Sequence, residues 1–313
     1  MADEASQFST VSFSNRDLAH LLNAYRGNAL VRFVHLGDTH ISADRDYTHA
    51  GADYAAWAGA RELVRQVNAL PFTPDFVLHT GDVVADPTED NYQAARELLG
   101  GIKFPVYYLP GNHDTAEMLQ RVFLGRAEIL PSFDYEFEVN GVQVLCIDSS
   151  KRAQYAGGVL LPEQLAYIDS IVSARDDRPL IVGVHHNVLP VGAPFWDTFM
   201  RLSNGEALHE LLVKAKKRLR GVFHGHVHMS TDTFTDGVLY TSVPSSWYQL
   251  ECWPGQSHII EDRDAEPGFH VVTVTRTQTF IRRHRFHVPE HGSTTPPEIR
   301  DAMGRRGESS SAP

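Results

Sequence analysis

The sequence predicts an α/β fold, and three observations carry that prediction. Strand-like apolar runs alternate with helical patterns through the first third of the chain. Three of those runs lead into a glycine with a polar residue behind it: LVRFVHLGD (30–38), PDFVLHTGD (74–82) and FPVYYLPGNHD (104–114). Two dipeptides, Asn140-Gly141 and Asp236-Gly237, separate alternating runs in the way that β-hairpin turns do. We therefore expect strands that share a sheet, with helices packed on it.

Four helices are predicted after residue 30. Ala55–Leu70 places apolar side chains three and four residues apart, which is typical of a helix with one buried face. A second helix covers Asn91–Leu99, and Asp90 or a neighbouring residue is expected to cap it. The last two are Pro162–Ala174 and Gly205–Arg218. Four basic residues near the end of this last helix are expected to be exposed to solvent, because the helix dipole favours cations at a C-terminus: Lys214, Lys216, Lys217 and Arg218.

The later strands follow from alternation and from turn residues. A hairpin is predicted over YEFEVNGVQVLCID (135–148), where both turn residues tolerate positive φ. PLIVGVHH (179–186) reads as a buried strand, and GVFHGHVH (221–228) as the end of the next one. Two more hairpins are predicted over residues 231–243 and 268–286.

These elements divide the chain into three parts. Residues 1–29 are predicted to be a polar N-terminal arm with a short helix at Arg16–Tyr25. Residues 30–288 are expected to form one domain, since no repeat or linker interrupts them. Residues 289–313 are rich in proline, serine and threonine, and we expect a disordered tail there.

Composition narrows the class of protein. The 313 residues include 42% hydrophobic and 21% charged residues, and the formal net charge is −11, which argues against a generic nucleic-acid-binding surface. Two cysteines, Cys146 and Cys252, do not make a disulfide framework. Without a signal-like N-terminus or a long apolar run, we expect a cytoplasmic protein. We expect its partner to be a small molecule, and we expect no binding to a nucleic-acid polymer or to a membrane. A homodimer is compatible with the sequence.

Side chains that can bind metal follow each strand of the predicted layer. Sites in open α/β sheets form at the carboxyl ends of strands, so these side chains are expected to meet. Glycines beside them let the backbone turn sharply and approach a ligand. In chain order the candidate residues are Asp38, His40, Asp82, Asn112, His113, Asp114, His185, His186, His224, His226 and His228.

The segment HGHVH, residues 224–228, places three histidines at alternate positions. Residues two apart in a strand point to the same side, so His226 and His228 are predicted to reach one object from one side. Solvated loop histidines are the alternative for an isolated pair. Three carboxylates and several imidazoles would be costly to desolvate without cations, which favours a metal site.

Taken together, GDTH, GD, GNHD, HH and GHVH resemble the five-block signature of the calcineurin-like metallophosphoesterases. The blocks cover residues 37 to 228. The opening GDTHIS, the chain length and GGVLLPEQLAYID (157–169) look most like the class III cyclic-nucleotide phosphodiesterases within that superfamily. The resemblance implies a four-layer α/β/β/α sandwich with two sheets between flanking helices.

The resemblance also implies a two-metal site. Asp38, His40 and His228 would hold the first metal, and Asn112, His185 and His226 the second. Asp82 would bridge both. His185 is the expected ligand of the HH pair, although the pair continues here as NVLP rather than as the family's HHP. Nitrogen and oxygen donors suit two divalent or trivalent ions such as Fe, Mn, Zn or Co.

Two further residues are assigned catalytic roles by the same resemblance. His113 would contact the phosphate and protonate the leaving oxygen, and Asp114 would orient the His113 ring. General acid catalysis suits imidazole, whose ordinary pKa lies near 6.5. The roles of His186 and His224 stay open. His35 and His79 lie within predicted strands and are expected to be packed or solvated, whereas His284 and His287 are expected to lie on an exposed edge strand.

The resemblance implies a metal-dependent phosphodiesterase that hydrolyses a 3′,5′-cyclic nucleotide, with cAMP as first choice, by attack of a metal-bridging hydroxide. Glycerophosphodiesters and 2′,3′-cyclic nucleotides are the alternative substrates. A non-catalytic scaffold on the same fold is the alternative of another class, but a scaffold would not need the full ligand set. Among the residues outside the motifs, Trp196, Trp247 and Tyr248 are expected either to stack on a base or to be core or dimer contacts.

Overall fold

A computed structural model describes residues 28–49, 52–151 and 156–289 of the chain. The helix predicted at Arg16–Tyr25, with nearly all of the N-terminal arm, lies outside the described residues. So does the predicted tail from residue 290 onward. Among the described residues, no helix combines the length and the apolarity that crossing a bilayer requires.

Strands and helices alternate through most of the described chain. In chain order the elements are β1 (Ala29–Leu36), α1 (Ala56–Asn68), β2 (Phe76–His79), α2 (Glu89–Leu99), β3 (Val106–Tyr108), α3 (Ala116–Met118) with a π-helical turn (Leu119–Phe123), β4 (Tyr135–Val139), β5 (Val142–Ile147), α4 (Pro162–Val172), β6 (Leu180–Val184), α5 (Pro194–Phe199), α6 (Gly205–Lys214), β7 (Leu219–His224), β8 (Asp232–Thr235), β9 (Val238–Ser242), β10 (Gln249–Leu250), β11 (Glu261–Asp262), β12 (Gly268–Thr275) and β13 (Thr279–Arg285).

Two mixed sheets dominate the fold. The first has the strand order β13-β12-β1-β2-β3, in which β1, β2 and β3 run parallel and β12 pairs antiparallel with β1. The second has the order β4-β5-β6-β7-β9-β8, with β5, β6, β7 and β9 parallel and an antiparallel strand at each edge. A short ribbon of β10 and β11 stands apart from both.

Three hydrophobic cores show that the two sheets lie face to face between helices. In the middle core, Phe33 of the first sheet packs on Phe76 and also meets Phe223 of the second sheet, with ring centroids 5.1 Å apart. The outer core of the first sheet contains Leu63 of α1. That of the second contains Leu212 of α6. The four-layer α/β/β/α sandwich predicted from the family resemblance is therefore confirmed.

The local predictions hold at the hairpins and shift at the helix ends. Asn140-Gly141 joins β4 to β5 and Asp236-Gly237 joins β8 to β9, with positive φ at all four residues. Helix α2 begins two residues before the predicted start, and its cap is Thr88, whose side chain accepts a hydrogen bond from Asn91 N. Thr88 takes this position, rather than Asp90, because Asp90 already lies within the helix.

Arg218 corrects the prediction of a solvated basic helix end. Helix α6 ends at Lys214, and Arg218 directly precedes β7, which begins at Leu219. Its guanidinium is buried and donates to Gln143 Oε1 and to the carbonyl oxygen of Ile171. Three lysines of the predicted group, Lys214, Lys216 and Lys217, are exposed as expected. Arg218 differs because its long side chain supplies hydrogen bonds to buried carbonyl groups.

Candidate metal centre

Five of the predicted metal ligands have left-handed backbone torsions. Asp38 has φ 53°, His40 44°, Asp82 52°, His226 70° and His228 48°. L-residues other than glycine rarely adopt positive φ, and such positions cost on the order of 1–3 kcal/mol unless the surrounding structure holds them. Elsewhere in the described chain, positive φ at non-glycine residues occurs only at hairpin turns, at Asn140 and Asp236. The strain is therefore concentrated where metal-binding side chains converge.

These torsions correct the strand-face argument for HGHVH. Strand β7 ends at His224, so His226 and His228 lie beyond the strand in left-handed turns. They do not point to one object from one side. His226 joins a group with His185 and His186, whereas His228 joins a group with Asp38, His40 and Asp82. The strand period does not apply because the chain has left the extended conformation.

Two glycines let the backbone pass directly against the carboxylates. A Cβ built on Gly111 would lie 2.2 Å from Asp82 Oδ1, and one built on Gly225 would lie 2.4 Å from Asp38 Oδ2. Both distances are well inside van der Waals contact. The expectation that glycines beside the strand ends permit close approach is confirmed at these two positions.

The first group of donors contains Asp38, His40, Asp82 and His228. One ligand atom from each lies within 4.8 Å of the others, and all four side chains are buried. His40 Nε2 is 3.0 Å from His228 Nε2, which is 3.4 Å from Asp38 Oδ1. His228 Nδ1 lies 3.0 Å from the carbonyl oxygen of Tyr248. Because a carbonyl only accepts, Nδ1 carries the proton and Nε2 presents a lone pair to the group.

The second group contains Asn112, His185 and His226 and lies on the other side of Asp82. His185 Nε2 is 3.0 Å from Asn112 Oδ1 and 3.4 Å from Asp82 Oδ2. The same Asp82 oxygen is 3.7 Å from His40 Nε2 in the first group. His226 Nε2 is buried and, within the described chain, has no hydrogen-bond partner. One carboxylate oxygen therefore stands between two sets of nitrogen and oxygen donors.

His185 and His186 differ in what their ring nitrogens contact. His185 Nδ1 donates to the carbonyl oxygen of Thr80 at 2.8 Å, which leaves Nε2 toward Asp82. His186 lies near enough to His185 and His226 to complete a group of three. Its Nδ1, however, is 2.8 Å from Ser149 Oγ and its Nε2 is 2.9 Å from the carbonyl oxygen of Ala156. Both nitrogens of His186 are thus engaged within the protein, and burial lowers its pKa to about 3.

The electrostatics of the centre favour positive charge beside Asp82. Burial alone would raise the pKa of the Asp82 carboxyl, but His185 and His113 hold it well below its usual range. Burial would likewise lower the pKa of His185, yet the Asp82 carboxylate raises it to about 9. Burial holds the pKa of His40 and of His226 well below the usual value, so those two rings are neutral at pH 7. His40 and His226 thus offer neutral imidazoles beside an ionised carboxylate, as cation binding requires, and a cation bound at His185 would take the place of its proton.

His113 is oriented by the main chain and not by Asp114. His113 Nδ1 donates to the carbonyl oxygen of Ala85 at 2.7 Å. The Asp114 carboxylate instead accepts from Gly111 N, Val83 N and the Tyr92 hydroxyl. The predicted Asp114-to-His113 orientation is therefore wrong, because Asp114 ties together the loops that carry Asp82 and Asn112. Burial would lower the pKa of His113, but the nearby Asp82 carboxylate and the Ala85 carbonyl raise it.

The aromatic candidates separate into core and rim. Trp196 and Trp247 are buried, which confirms the core alternative for these two residues. Tyr248 is half-buried and lies 4.6 Å, ring centroid to ring centroid, from His228. The remaining histidines also divide: His35 and His79 are buried within β1 and β2, while His284 lies on the edge strand β13.

Several residues that shape the centre left no signal in the sequence. Thr80, Ala85 and Tyr248 act through carbonyl oxygens, which every residue possesses. Ser245 acts through its hydroxyl, which donates to the carbonyl oxygen of Asp38 at 2.7 Å. Serines are common in loops, so nothing local distinguishes Ser245 from Ser246 beside it.

The chain is similar in sequence to known phosphodiesterases. The chain is 30% identical over 221 residues to the glycerophosphodiester phosphodiesterase GpdQ of Enterobacter lignolyticus (strain SCF1), covering 69% of this chain and 78% of that protein. It is 30% identical over 242 residues to the 3′,5′-cyclic adenosine monophosphate phosphodiesterase CpdA of Pseudomonas aeruginosa, covering 77% of this chain and 85% of that protein.

Solved structures share the fold at low sequence identity. A dimetal phosphatase from Danio rerio superposes with a TM-score of 0.57 at 13% identity, covering 81% of this chain and 99% of that one. A purple acid phosphatase from yellow lupin superposes with a TM-score of 0.58 at 16% sequence identity, covering 82% of this chain and 51% of that one. The family model described as calcineurin-like phosphoesterase matches residues 31–230, the region that carries both donor groups. The chain therefore belongs to the calcineurin-like phosphoesterases, a family whose members use two metal ions.

Proposed function

We propose that this protein is a metal-dependent phosphodiesterase whose substrate is a 3′,5′-cyclic nucleotide, with cAMP as first choice. One observation carries the proposal: Asp82 Oδ2 lies 3.7 Å from His40 Nε2 and 3.4 Å from His185 Nε2, between two donor groups. A carboxylate in that place suits a pair of cations about 3.5–4 Å apart. The similarity to a cAMP phosphodiesterase over 77% of the chain supports the choice of substrate.

The ligand assignment follows the two groups. In this proposal Asp38, His40 and His228 hold the first ion, and Asp82 is shared. The second ion is held by Asn112, His185 and His226, with His185 preferred to His186 because both ring nitrogens of His186 are engaged. The oxygen and nitrogen donors, without thiolate, suit Fe, Mn, Zn or Co.

The bound ions would supply a water of lowered pKa and Lewis acidity toward the phosphoryl oxygens. The protein's own groups bind, orient and move protons. His113 keeps its Nδ1 on the Ala85 carbonyl, so its Nε2 is available to a phosphate or to the leaving oxygen. Its raised pKa increases the protonated fraction at neutral pH, which suits a general acid. Asp114 serves as a support for the loops on either side.

A second substrate class is favoured by a separate observation. The match to a glycerophosphodiester phosphodiesterase has the same identity, 30%, as the match to the cAMP enzyme. A glycerophosphodiester therefore stays the alternative, together with 2′,3′-cyclic nucleotides. The scaffold alternative is disfavoured because the chain keeps both donor groups and His113. Cytoplasmic localisation and a homodimer stay predictions.

Activity measurements test the proposal directly. We expect hydrolysis of bis(p-nitrophenyl) phosphate with added Mn²⁺, and slower hydrolysis of the monoester p-nitrophenyl phosphate. A panel of 3′,5′-cAMP, 2′,3′-cAMP and glycerophosphoethanolamine then ranks the substrates by kcat/KM. Elemental analysis of the same preparation should find about two ions per chain, the number that a two-metal site requires. A protein that binds no divalent ion and hydrolyses no diester would refute the proposal.

A further inference from the structure

The first turn of α2 lies against the loops that follow all three parallel strands of the first sheet, β1, β2 and β3. Two neighbouring residues of this turn, Asn91 and Tyr92, have buried side chains that bond to those loops. The same loops carry four of the assigned metal ligands: Asp38, His40, Asp82 and Asn112. One helical turn is therefore in contact with three segments whose relative positions decide the geometry of the donor groups.

Asn91 bonds to the loops after β1 and β2. Its Oδ1 accepts from Ala43 N at 2.8 Å, in the loop after β1. Its Nδ2 donates to the carbonyl oxygen of Asp86 at 3.0 Å, in the loop after β2. The helix is itself fixed at this point, because Thr88 caps Asn91 N. These two loops are thus held to one rigid element.

Tyr92 bonds to the loop after β3 through a hydroxyl that both donates and accepts. It donates to Asp114 Oδ1 at 3.0 Å and accepts from Thr115 N at 3.0 Å. Burial raises the pKa of the Tyr92 phenol, and the Asp114 carboxylate raises it further, so the phenol remains a donor across the working pH range. Among the described residues, no other group donates to Asp114 Oδ1. The orientation of this buried carboxylate therefore depends on Tyr92.

The other oxygen of the same carboxylate joins the loops after β2 and β3. Asp114 Oδ2 accepts from Val83 N at 3.0 Å and from Gly111 N at 2.9 Å. Val83 directly follows Asp82, and Gly111 directly precedes Asn112. A rotation of the Asp114 carboxylate would move the main chain beside both ligands.

We propose that Tyr92 is a positioning residue for the metal centre: its hydroxyl fixes the Asp114 carboxylate, and that carboxylate sets the separation of Asp82 and Asn112. This inference rests on the ligand assignment made for the proposed function, and it adds a residue that acts from an outer helix. Groups that orient metal ligands typically account for roughly 10- to 100-fold in metal affinity. Tyr92 acts in this way although it is not itself a ligand.

Tyr92→Phe tests the proposal because it removes one oxygen and keeps the ring that packs in the outer core of the first sheet. We expect at least one of the two Mn²⁺ dissociation constants to rise by roughly 10- to 100-fold. Calorimetric titration of the chelator-treated full chain with Mn²⁺ measures these constants and requires no turnover.

Tyr240→Phe is the matched control. Tyr240 is also buried, and its hydroxyl lies 2.7 Å from His209 Nδ1 in the outer core of the second sheet. The control loses a buried, hydrogen-bonded hydroxyl without touching the loops of the centre, so its Mn²⁺ constants should equal those of the wild type. An equal loss of affinity in both variants would mean that any buried hydroxyl has this effect, and would overturn the positioning role.

The route through Asp114 is tested by a double variant. With Asp114→Ala the hydroxyl has no carboxylate to orient, so adding Tyr92→Phe should change the Mn²⁺ constants by less than about twofold, since residues that act through one another are not additive. A further loss of the same factor as in Tyr92→Phe alone would show a different route and contradict the proposal.

The outcomes distinguish this inference from the proposed function. Unchanged Mn²⁺ constants in Tyr92→Phe would overturn the positioning role even if the wild-type protein is an active phosphodiesterase. If the constants rise as expected while the wild-type protein hydrolyses no diester, the positioning role stands and the proposed function fails.

Discussion

At the scale of single residues, the metal centre depends on atoms that hold the donors as much as on the donors themselves. His228, His185 and His113 each give their Nδ1 proton to a main-chain carbonyl oxygen, of Tyr248, Thr80 and Ala85 respectively. Each of these bonds selects the tautomer and leaves Nε2 toward the centre. The three rings therefore arrive in one defined orientation, which is what metal binding and proton transfer need.

His113→Ala should separate chemistry from metal binding. The ring is bonded to Ala85 and packs edge-on against His40 at 4.7 Å, and we assign it no metal. Its removal should lower kcat by roughly 10²–10⁴, the usual contribution of general acid–base catalysis, when a ribose hydroxyl leaves. The loss should be smaller with p-nitrophenolate, which leaves without protonation. Equal losses on the two substrates, or a drop in metal content, would contradict the general-acid role.

Asp82→Asn should cost more metal than Asp38→Asn. Asp82 Oδ1 accepts from His113 N, so the amide oxygen of an asparagine would stay there and its NH₂ group would face His40 and His185. Both ions would lose a ligand and an intervening negative charge. Asp38 lies beside His228 and should affect one ion only. Elemental analysis of both variants after Mn²⁺ loading makes the comparison, and two retained ions in Asp82→Asn would exclude the bridging position.

At the scale of elements, the strand ends bring the centre together. Strands β1 and β2 run parallel in the first sheet and β6 and β7 run parallel in the second, so their carboxyl ends deliver side chains to one edge of the sandwich. The chain then leaves the extended conformation, and the left-handed torsions at Asp38, Asp82 and His226 turn these side chains inward. Main-chain bonds from Asp38 N to Gly81 O and from Gly225 N to His185 O join successive strand ends.

Gly225→Ala should damage the first metal position through contact alone. The added methyl group would lie 2.4 Å from Asp38 Oδ2 and 3.3 Å from Thr80 Oγ1, so the carboxylate must move. We expect the affinity for the first ion to fall by about tenfold or more, as for loss of an outer support of a metal ligand. Gly101→Ala, in the turn two residues after α2, is the control, because the nearest atom to its added methyl group would be the Leu98 carbonyl oxygen, 3.1 Å away. Equal Mn²⁺ dissociation constants for the two variants would contradict this prediction.

At the scale of the whole molecule, buried histidines connect stability to pH. His270 on β12 is fully buried, bonds Ser230 Oγ through Nε2 and has a pKa lowered to about 4, first by burial and then by Arg283. Between the ordinary value of 6.5 and about 4, the unfolded chain binds this proton and the folded chain does not. Stability is therefore unaffected above pH 6.5 and falls as the pH drops through that window.

The pH dependence gives a stability prediction for His270→Gln. A shift from 6.5 to about 4 is worth about 3 kcal/mol of unfolding free energy at pH values below the window. The variant has no titrating group at this position, so its stability should fall less steeply between pH 7 and pH 4 than that of the wild type. Urea denaturation at several pH values measures both slopes. Parallel slopes would mean that His270 titrates alike in the folded and the unfolded chain.

The sequence by itself determined the features that depend on neighbouring residues. Asn140-Gly141 and Asp236-Gly237 predicted their hairpins because only a few residues accept positive φ without cost. Apolar spacing placed the helices to within a few residues. It did not give the start of α2, where Thr88 rather than Asp90 forms the cap. The polar residues that directly follow the strands predicted which side chains come together, because the carboxyl ends of parallel strands meet at one edge of a sheet.

Only the tertiary structure decided which of these donors share a group and which way each ring faces. His226 and His228 are two residues apart yet join different groups, because left-handed turns replace the strand period there. His185 and His186 are neighbours, but Thr80 binds the first from 105 residues away, and Ser149 and Ala156 engage both nitrogens of the second. The carbonyl of Ala85, rather than Asp114, orients His113. These contacts are invisible in a sequence because they join distant segments, and because a carbonyl oxygen is the same in every residue.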